Sequence, residues 1–335
     1  MNIKARLCLQ VALALLAANQ TSAQEKLTMF YPGPLESNWE KLFSEWARKV
    51  EADSKNTLVI EVKANSPLAN FTNIIDRVEN DVVQIGIALA SIFPRRFELT
   101  QIVAVPFTID LDDDDQASTT VWRLYKAGLL DSEYDTMIPL FVGVSKQSGF
   151  HFARPPKSLD QLQGLKMRIF ASSQLDMVKS LGMSPVSLPP TDIYLALQRG
   201  TLDGTITSWT SFPSLRLQEV TKYHVELPLG GSVFIAFMSR KKYNALPEAA
   251  RRAIDANANE SYSRAFGRVL GEDAEKGKKL SAGHTIVRLT PEKTAEWRQK
   301  FGDAMAENWR KANAPQSEKV LEAFARIYAD VKAGR

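Results

Sequence analysis

The 335-residue chain carries 42 basic and 38 acidic side chains and three histidines, and 44% of its residues are hydrophobic. This near balance of charge argues against a dedicated binder of nucleic acid or anionic membrane, and the length is enough for two α/β domains. Its one cysteine, Cys8, excludes a disulfide framework.

Lys4 and Arg6 precede an apolar run from Leu7 to Ala18, and Thr21-Ser22-Ala23 offer small residues for cleavage before Gln24. That is the pattern of a secretory signal peptide, and the run is shorter than the roughly 20 residues a membrane-spanning helix needs. Residues 1–23 are therefore expected to be removed. The remaining 312 residues hold 40 basic against 38 acidic side chains, a net charge of +2, and no thiol. A soluble secreted protein stabilised by packing alone is expected.

Lys26 to Tyr31 reads as a strand, and Ser37 with Glu40 forms a capping box ahead of Trp39, Leu42, Phe43, Trp46, Ala47 and Val50 at helical spacing. Leu58, Ile60 and Val62 alternate as a second strand, Phe71 to Val78 reads as a helix, and Val82 to Ala88 suits a central strand. This β-α-β-α-β order implies a largely parallel sheet. The acidic run Asp112 to Asp115 lacks the alternating ligands and turn glycine of a calcium loop, so it reads as a helix N-terminal cap with no metal assigned.

Ile138 to Val144 is a further strand, and Ser158-Leu159-Asp160-Gln161 repeats the capping-box pattern at the start of a second α/β unit. Within that unit Leu165, Met167 and Ile169 alternate with Lys166 and Arg168, which puts a cationic side chain on a strand that is otherwise apolar. A buried guanidinium needs a partner, and a carboxylate matches its planar fork best. That partner is either a ligand or an internal acid such as Asp203.

Helices are expected over Ser172 to Leu181, stopped by Gly182, and Thr191 to Arg199, stopped by Gly200, with a strand at Thr205 to Thr207 and a loop from Trp209 to Phe212. Phe234 to Ser239 reads as a strand returning to the first domain. From Pro247 to about Leu280, Ile254, Ala258, Tyr262, Phe266, Leu270 and Ala274 recur every fourth position, predicting one helix of roughly 50 Å that could lie across both domains. Trp297, Phe301, Met305 and Trp309, then Leu321, Phe324 and Ile327, predict two more helices closing the second domain.

Together these features resemble the substrate-binding proteins of TRAP transporters, the tripartite periplasmic carriers of organic acids. The resemblance is carried by Gly164-Leu165-Lys166-Met167-Arg168, Gly182-Met183-Ser184-Pro185, Tyr194-Leu195-Ala196-Leu197-Gln198 with Asp203-Gly204, and Tyr243-Asn244-Ala245-Leu246-Pro247. Weaker signatures are Val78-Glu79-Asn80-Asp81, Ile85-Gly86 and Val105-Pro106-Phe107. It implies an α/β, two-lobed periplasmic-binding-protein-like fold with a long helix spanning both lobes. The first lobe is expected from 24–145 plus 234–275 and the second from 146–233 plus 276–335. It also implies that Arg168 grips a ligand carboxylate and that the lobes close on the ligand. The partners implied are small and large integral membrane subunits, and a monomer is expected.

Two departures bear on the ligand. Where many members present an asparagine shortly after the Asp-Gly pair, this chain has Thr207, with Trp209 beyond; where many carry a second arginine before the Arg168 strand, it has Ser148-Gly149-Phe150-His151. Ala88-Leu89-Ala90-Ser91 in the first lobe also lacks the acid seen in binders of amino sugars. Trp209 and Phe170 either pack on a ligand's hydrocarbon body or fill the second core, Tyr31 follows the first strand where the opposite lobe lies, and His151 either bonds a ligand or caps an edge. The candidate site is therefore Arg168, Phe170, Thr207, Trp209, His151 and Tyr31.

Three functions are weighed: capture of an organic acid for transport, a sensory module binding the same acid, and a secreted hydrolase or lyase using His151 and an acid near Arg168. With no mature cysteine, scattered histidines, no phosphate-binding glycine loop and no metal-ligand cluster, no cofactor is expected, and a non-catalytic binder is favoured. The loss of the second arginine favours a monocarboxylate with an apolar or aromatic body over a small dicarboxylate.

Overall fold

The computed structural model describes residues 24–33, 37–107 and 114–335. The expected signal peptide, and Asp112 and Asp113 of the acidic run, lie outside them. The strands among the described residues are β1 (Glu25–Tyr31), β2 (Leu58–Ala64), β3 (Ile85–Leu89), β4 (Met137–Val144), β5 (Ser148–Phe152), β6 (Lys166–Ile169), β7 (Ser184–Ser187), β8 (Gly204–Ser208), β9 (Tyr223–Glu226), β10 (Val233–Ser239) and β11 (Thr285–Arg288). They form a five-stranded sheet in the order β2-β1-β3-β10-β4 and a six-stranded sheet in the order β11-β9-β5-β8-β6-β7. Both are mixed, with parallel strands wound through helices. Ile85 to Leu89 and Val233 to Ser239 are buried at every position, because β3 and β10 are interior strands covered on both faces.

The chain crosses between the sheets from β4 to β5 and from β9 to β10. Strand β4 runs parallel to β3, since both are antiparallel to β10, so it leaves the first sheet at the end where β1 and β3 finish. Strand β5 is antiparallel to β8 and begins beside its last residue, with Ser148 opposite Ser208. The two sheets therefore turn the carboxyl ends of their parallel strands toward each other, the edges at which α/β proteins place ligands. The crossings are bonded together: Ser145 N donates to Ser232 O (2.9 Å), Ser148 N to Gly230 O (2.8 Å), and Gly230 N to Gln147 Oε1 (2.8 Å).

Ser37 caps the helix Asn38–Asp53, its hydroxyl accepting from Glu40 N (3.2 Å), and Leu42, Phe43, Trp46, Ala47 and Val50 are buried against the first sheet. Asp115, in the first turn of the helix Asp114–Lys126, pairs with Arg264 (3.6 Å) and Arg268 (3.3 Å). The Ser158 pattern does not start a helix. It makes one turn, Gln161 N donating to Ser158 O (3.2 Å), before Gly164 takes a φ of +81° that a helix cannot continue through.

The single long helix also divides. Glu248–Asn257 ends at Ala258, and Asn259 takes an extended conformation in which its side chain accepts from Tyr262 N and caps Glu260–Leu280. Side-chain periodicity runs through the break because the apolar stripe stays on one side. The second segment, 21 residues or about 32 Å, still reaches both units: Phe266 and Leu270 join the core of the first sheet, and Ala274 joins Trp209 and Phe212 beside the second. The last helix, Gln316–Lys332, corrects the expectation for the tail. Its Val320, Ala323 and Phe324 pack with Val121, Trp122 and Leu124 in the first unit, so it closes the first lobe and only Trp297, Phe301 and Met305 close the second.

Gly277 marks where the long helix meets the second unit. A Cβ there would lie 2.3 Å from the Trp209 carbonyl oxygen. Glycine to alanine inside a helix ordinarily stabilises by about 1 kcal/mol, but a backbone atom cannot step aside as a side-chain tip can. Gly277→Ala is expected to lower stability, by about 1–3 kcal/mol in denaturant titration; an equal or higher midpoint would show that the helix is not seated as tightly as this contact requires.

Candidate functional site

Arg168 lies on the penultimate position of β6 and is 4% exposed. Its neighbours Met167 and Ile169 turn to the apolar cluster on one face of the sheet, which leaves Arg168 on the other. There its Nε donates to Leu188 O (3.2 Å) and its Nη1, at the limit of hydrogen-bond length, to Ile206 O (3.4 Å). Of the five N–H donors of a guanidinium, three meet no acceptor among the described residues. Burial lowers its pKa from 12.5 to about 10, so it stays charged at neutral pH.

The internal acid weighed as its partner is engaged elsewhere: Asp203 Oδ2 accepts from Lys166 N (2.8 Å), and Asp203 N donates to Lys166 O (2.9 Å). Asp203 thus clips the turn into β8. No ion pair to Arg168 occurs among the described residues.

Register places Arg168 in a row across the sheet: Val186 of β7, Arg168, Thr205 of β8, His151 of β5, His224 of β9 and Ile286 of β11. His151 is 1% exposed, with Nδ1 bonded to His224 Nδ1 (2.9 Å) and Nε2 to Thr207 O (3.1 Å). Both ring nitrogens are used, so His151 supports the site from within. Thr207 Oγ1 bonds Ser211 Oγ (3.1 Å). Trp209 packs against His151, His224 and Phe212 with ring centroids 4.5–4.8 Å away, and its Nε1 donates to Glu226 (3.1 Å). These contacts put its indole in the second core.

Phe170, directly after β6, is 7% exposed and belongs to the cluster of Met177, Leu229 and Phe301. Its backbone N–H donates to Gln174 Oε1 (3.0 Å), a fully buried side chain that sequence reading did not single out. Tyr31 ends β1 in the first core, edge-on to Phe43, with its hydroxyl 3.4 Å from Ser37 Oγ and its pKa pushed up to about 12 by burial. The sheet edges thus bring Arg168, Phe170, Thr207 and Tyr31 to the two facing rims, while His151 and Trp209 sit behind the second rim.

The first rim also carries aromatics that are not among the six candidates. Trp39 lies edge-on to Phe234 at 5.0 Å, and Phe71 is 6.4 Å from Phe234. Trp39 is held by Asp273 of the long helix, Nε1 to Oδ2 at 2.9 Å. Two buried hydroxyls, Ser91 just beyond β3 and Ser148 at the start of β5, have no hydrogen-bond partner among the described residues. In the stretch Ser148-Gly149-Phe150-His151, a Cβ on Gly149 would lie 2.4 Å from Val225 O, and Phe150 is fully buried, so neither of these two positions has space for a cationic side chain. A separate crevice of about 360 Å³, lined by Arg95, Glu98, Ser173 and Trp309 among others, includes none of the six candidate residues.

The family model of the bacterial extracellular solute-binding proteins, family 7, matches residues 32–312. A solute-binding protein of Albidiferax ferrireducens is 36% identical over 102 residues, 29% of this chain and 30% of that relative's length. Among solved structures, a TRAP solute-binding protein from an unidentified marine microbe, specific for aromatic acid ligands and holding 3-hydroxybenzoate, superposes with a TM-score of 0.83 at 24% identity, over 92% of this chain and 99% of that one. A TRAP solute-binding protein of Rhodoferax ferrireducens with copurified benzoate gives 0.82 at 24% identity, over the same shares.

The histidines behind the rim have a consequence for stability. Burial drives His151 to about 3; burial, with His151, His284 and Lys222 nearby, drives His224 to about 2; and burial with Lys222 lowers His284. Because all three lie below the ordinary value of 6.5, the unfolded chain takes up protons first as the pH falls. The stability they carry is complete above about pH 6.5 and is lost progressively toward pH 3. Burial raises Glu133 to about 7, which adds stability as the pH falls through the same range, so the histidines are read from a difference: the loss of denaturation midpoint between about pH 7.5 and 5 is expected to be smaller in His284→Gln, which removes one such site, than in the parent. Identical acid limbs for parent and variant would show that His284 titrates normally in the folded protein.

Proposed function

Because this chain belongs to the bacterial extracellular solute-binding protein family 7, we propose that it is a periplasmic, non-catalytic receptor that captures an aromatic or apolar monocarboxylate between its two lobes. The observation that carries this reading is the buried Arg168, three of whose donors have no acceptor among the described residues. A carboxylate takes two parallel N–H groups of a guanidinium, and in a dry site that pair is the strongest contact available to it.

The class of acid follows from what surrounds that fork. Arg168 is the cation at the second rim, Lys146 of the β4–β5 crossing is paired with Glu275 (3.3 Å), and a longer side chain at Gly149 would meet Val225 O, so a second ionised carboxylate would be buried at a cost of several kcal/mol. Trp39, Phe71 and Phe234 instead offer apolar surface, which contributes about 25 cal/mol per Å² of hydrocarbon covered. The aromatic acids held by the two structural neighbours support the same class. On this reading the loaded protein, a monomer, hands its ligand to the small and large membrane subunits of a TRAP transporter.

Calorimetry of the mature protein against benzoate, 3-hydroxybenzoate, succinate and malate tests the class, and the aromatic acids are expected to bind more tightly. A dicarboxylate that outbinds every matched monocarboxylate would overturn it. Arg168→Lys keeps the charge but not the fork and is expected to weaken binding by about 2–5 kcal/mol; unchanged affinity would remove Arg168 from the site. Lobe closure on the same acid is expected to reduce the radius of gyration in solution scattering, and a ligand-bound protein no more compact than the free one would count against it.

A further inference from the structure

All three histidines of the chain stand in one hydrogen-bonded line, although 73 and 60 residues separate them in sequence. The direction of that line is fixed from both ends. At one end the Thr207 carbonyl can only accept, so His151 Nε2 carries a hydrogen and donates to it (3.1 Å). At the other the Lys222 ammonium can only donate, so His284 Nε2 is an acceptor (3.1 Å). Between them His284 Nδ1–H donates to His224 Nε2 (3.1 Å), and His224 Nδ1–H donates to His151 Nδ1 (2.9 Å). Each neutral imidazole offers one donor and one acceptor, and all six ring nitrogens are used.

We propose that this line positions the binding rim: by holding the Thr207 carbonyl it fixes the end of β8, and with it the Ile206 carbonyl that steadies Arg168, and it does so only while all three imidazoles are neutral. An added proton turns an acceptor nitrogen into a second donor, and one link of the line must break. The surroundings oppose that proton. Arg168 stands two strands from His151 in the same row, about 10 Å away at the usual strand spacing, and Lys222 closes the outer end. The one nearby acid, Glu226, is already paired with Lys278 (2.9 Å) and Arg288 (2.6 Å) while accepting from Trp209. His284, partly exposed at the outer end, is where the device can be altered without touching the rim.

The affinity arm of the test rests on the carboxylate reading; the spectroscopic arm does not. With only three histidines, the imidazole ¹⁵N spectrum of the untagged mature protein resolves each ring. It is expected to show single tautomers, Nε2–H for His151 and Nδ1–H for His224 and His284. His284→Leu removes the donor to His224 and is expected to mix the His151 tautomers and weaken benzoate binding at least about threefold. His284→Gln, whose amide supplies a donor and an acceptor, is expected to restore both. An Nδ1–H or mixed His151 in the parent, or His284→Leu with unchanged tautomers and affinity, would overturn the proposal. If the parent binds no carboxylate, the functional reading fails, and the ligand-free tautomers of parent and His284→Leu decide the line by themselves.

Discussion

A guanidinium taken out of water and left with two backbone carbonyls is the constraint around which the second lobe is arranged. Moving an ion from water into a protein interior costs several kcal/mol even after relaxation, and carbonyl oxygens recover only part of it. The sheet tolerates Arg168 because strand alternation separates it from the apolar face: Met167, Ile206 and Val225 point one way, Arg168, Thr205, His151 and His224 the other. The second face therefore has a polar, buried centre from Arg168 to His224, flanked by Val186 and Ile286 at its edges. Every polar group on it must find a neighbour, and the histidine line, the Trp209–Glu226 bond and the Asp203 clip are how most of them do so.

The long helix ties that face to the opposite lobe. Near its middle Asp273 and Glu272 hold Trp39 and Asn38 at the first rim, while one turn onward Gly277 lies against the Trp209 backbone and Lys278 pairs with Glu226. The aromatic wall of one lobe and the support behind the arginine of the other are thus referenced to adjacent turns of the same rigid element. The two bonded crossings beside it, with Gly230 at a φ of +80°, are the thin part of the connection. In the closure proposed above, the bend falls at these crossings and the helix keeps the lateral alignment of the rims.

What the sequence revealed and what it hid divide along physical lines. Arg168 was legible as a charge set between Met167 and Ile169 on an alternating strand, and the Ser37 cap because its partners lie within one turn. The Asn259 break was not, since an extended residue that leaves the apolar stripe on the same side alters no periodicity. Val320 and Phe324 announced an amphipathic helix, but a stripe does not say which lobe it covers, and the chain returned to the first. His151, His224 and His284 looked scattered because three strand registers and a turn, none of them encoded in spacing, bring them into line. The strands and the buried Arg168 are local signals; the histidine line behind Arg168 is a product of topology.

The polar groups that remain open at the rims argue for the kind of guest they suit. A buried carboxylate is satisfied by charge-assisted donors, and one fork supplies them for one carboxylate only. Ser91 and Ser148 each add a neutral hydroxyl, buried and without a partner among the described residues, at a cost of about 1–3 kcal/mol apiece while unsatisfied. A hydroxyl matches the dipole of another hydroxyl or an amide; set against an ionised group, it supplies a single donor and no compensating charge. Arg168, these neutral hydroxyls and the aromatic walls are thus consistent with the proposed guest, a monocarboxylate whose remaining surface is flat and apolar.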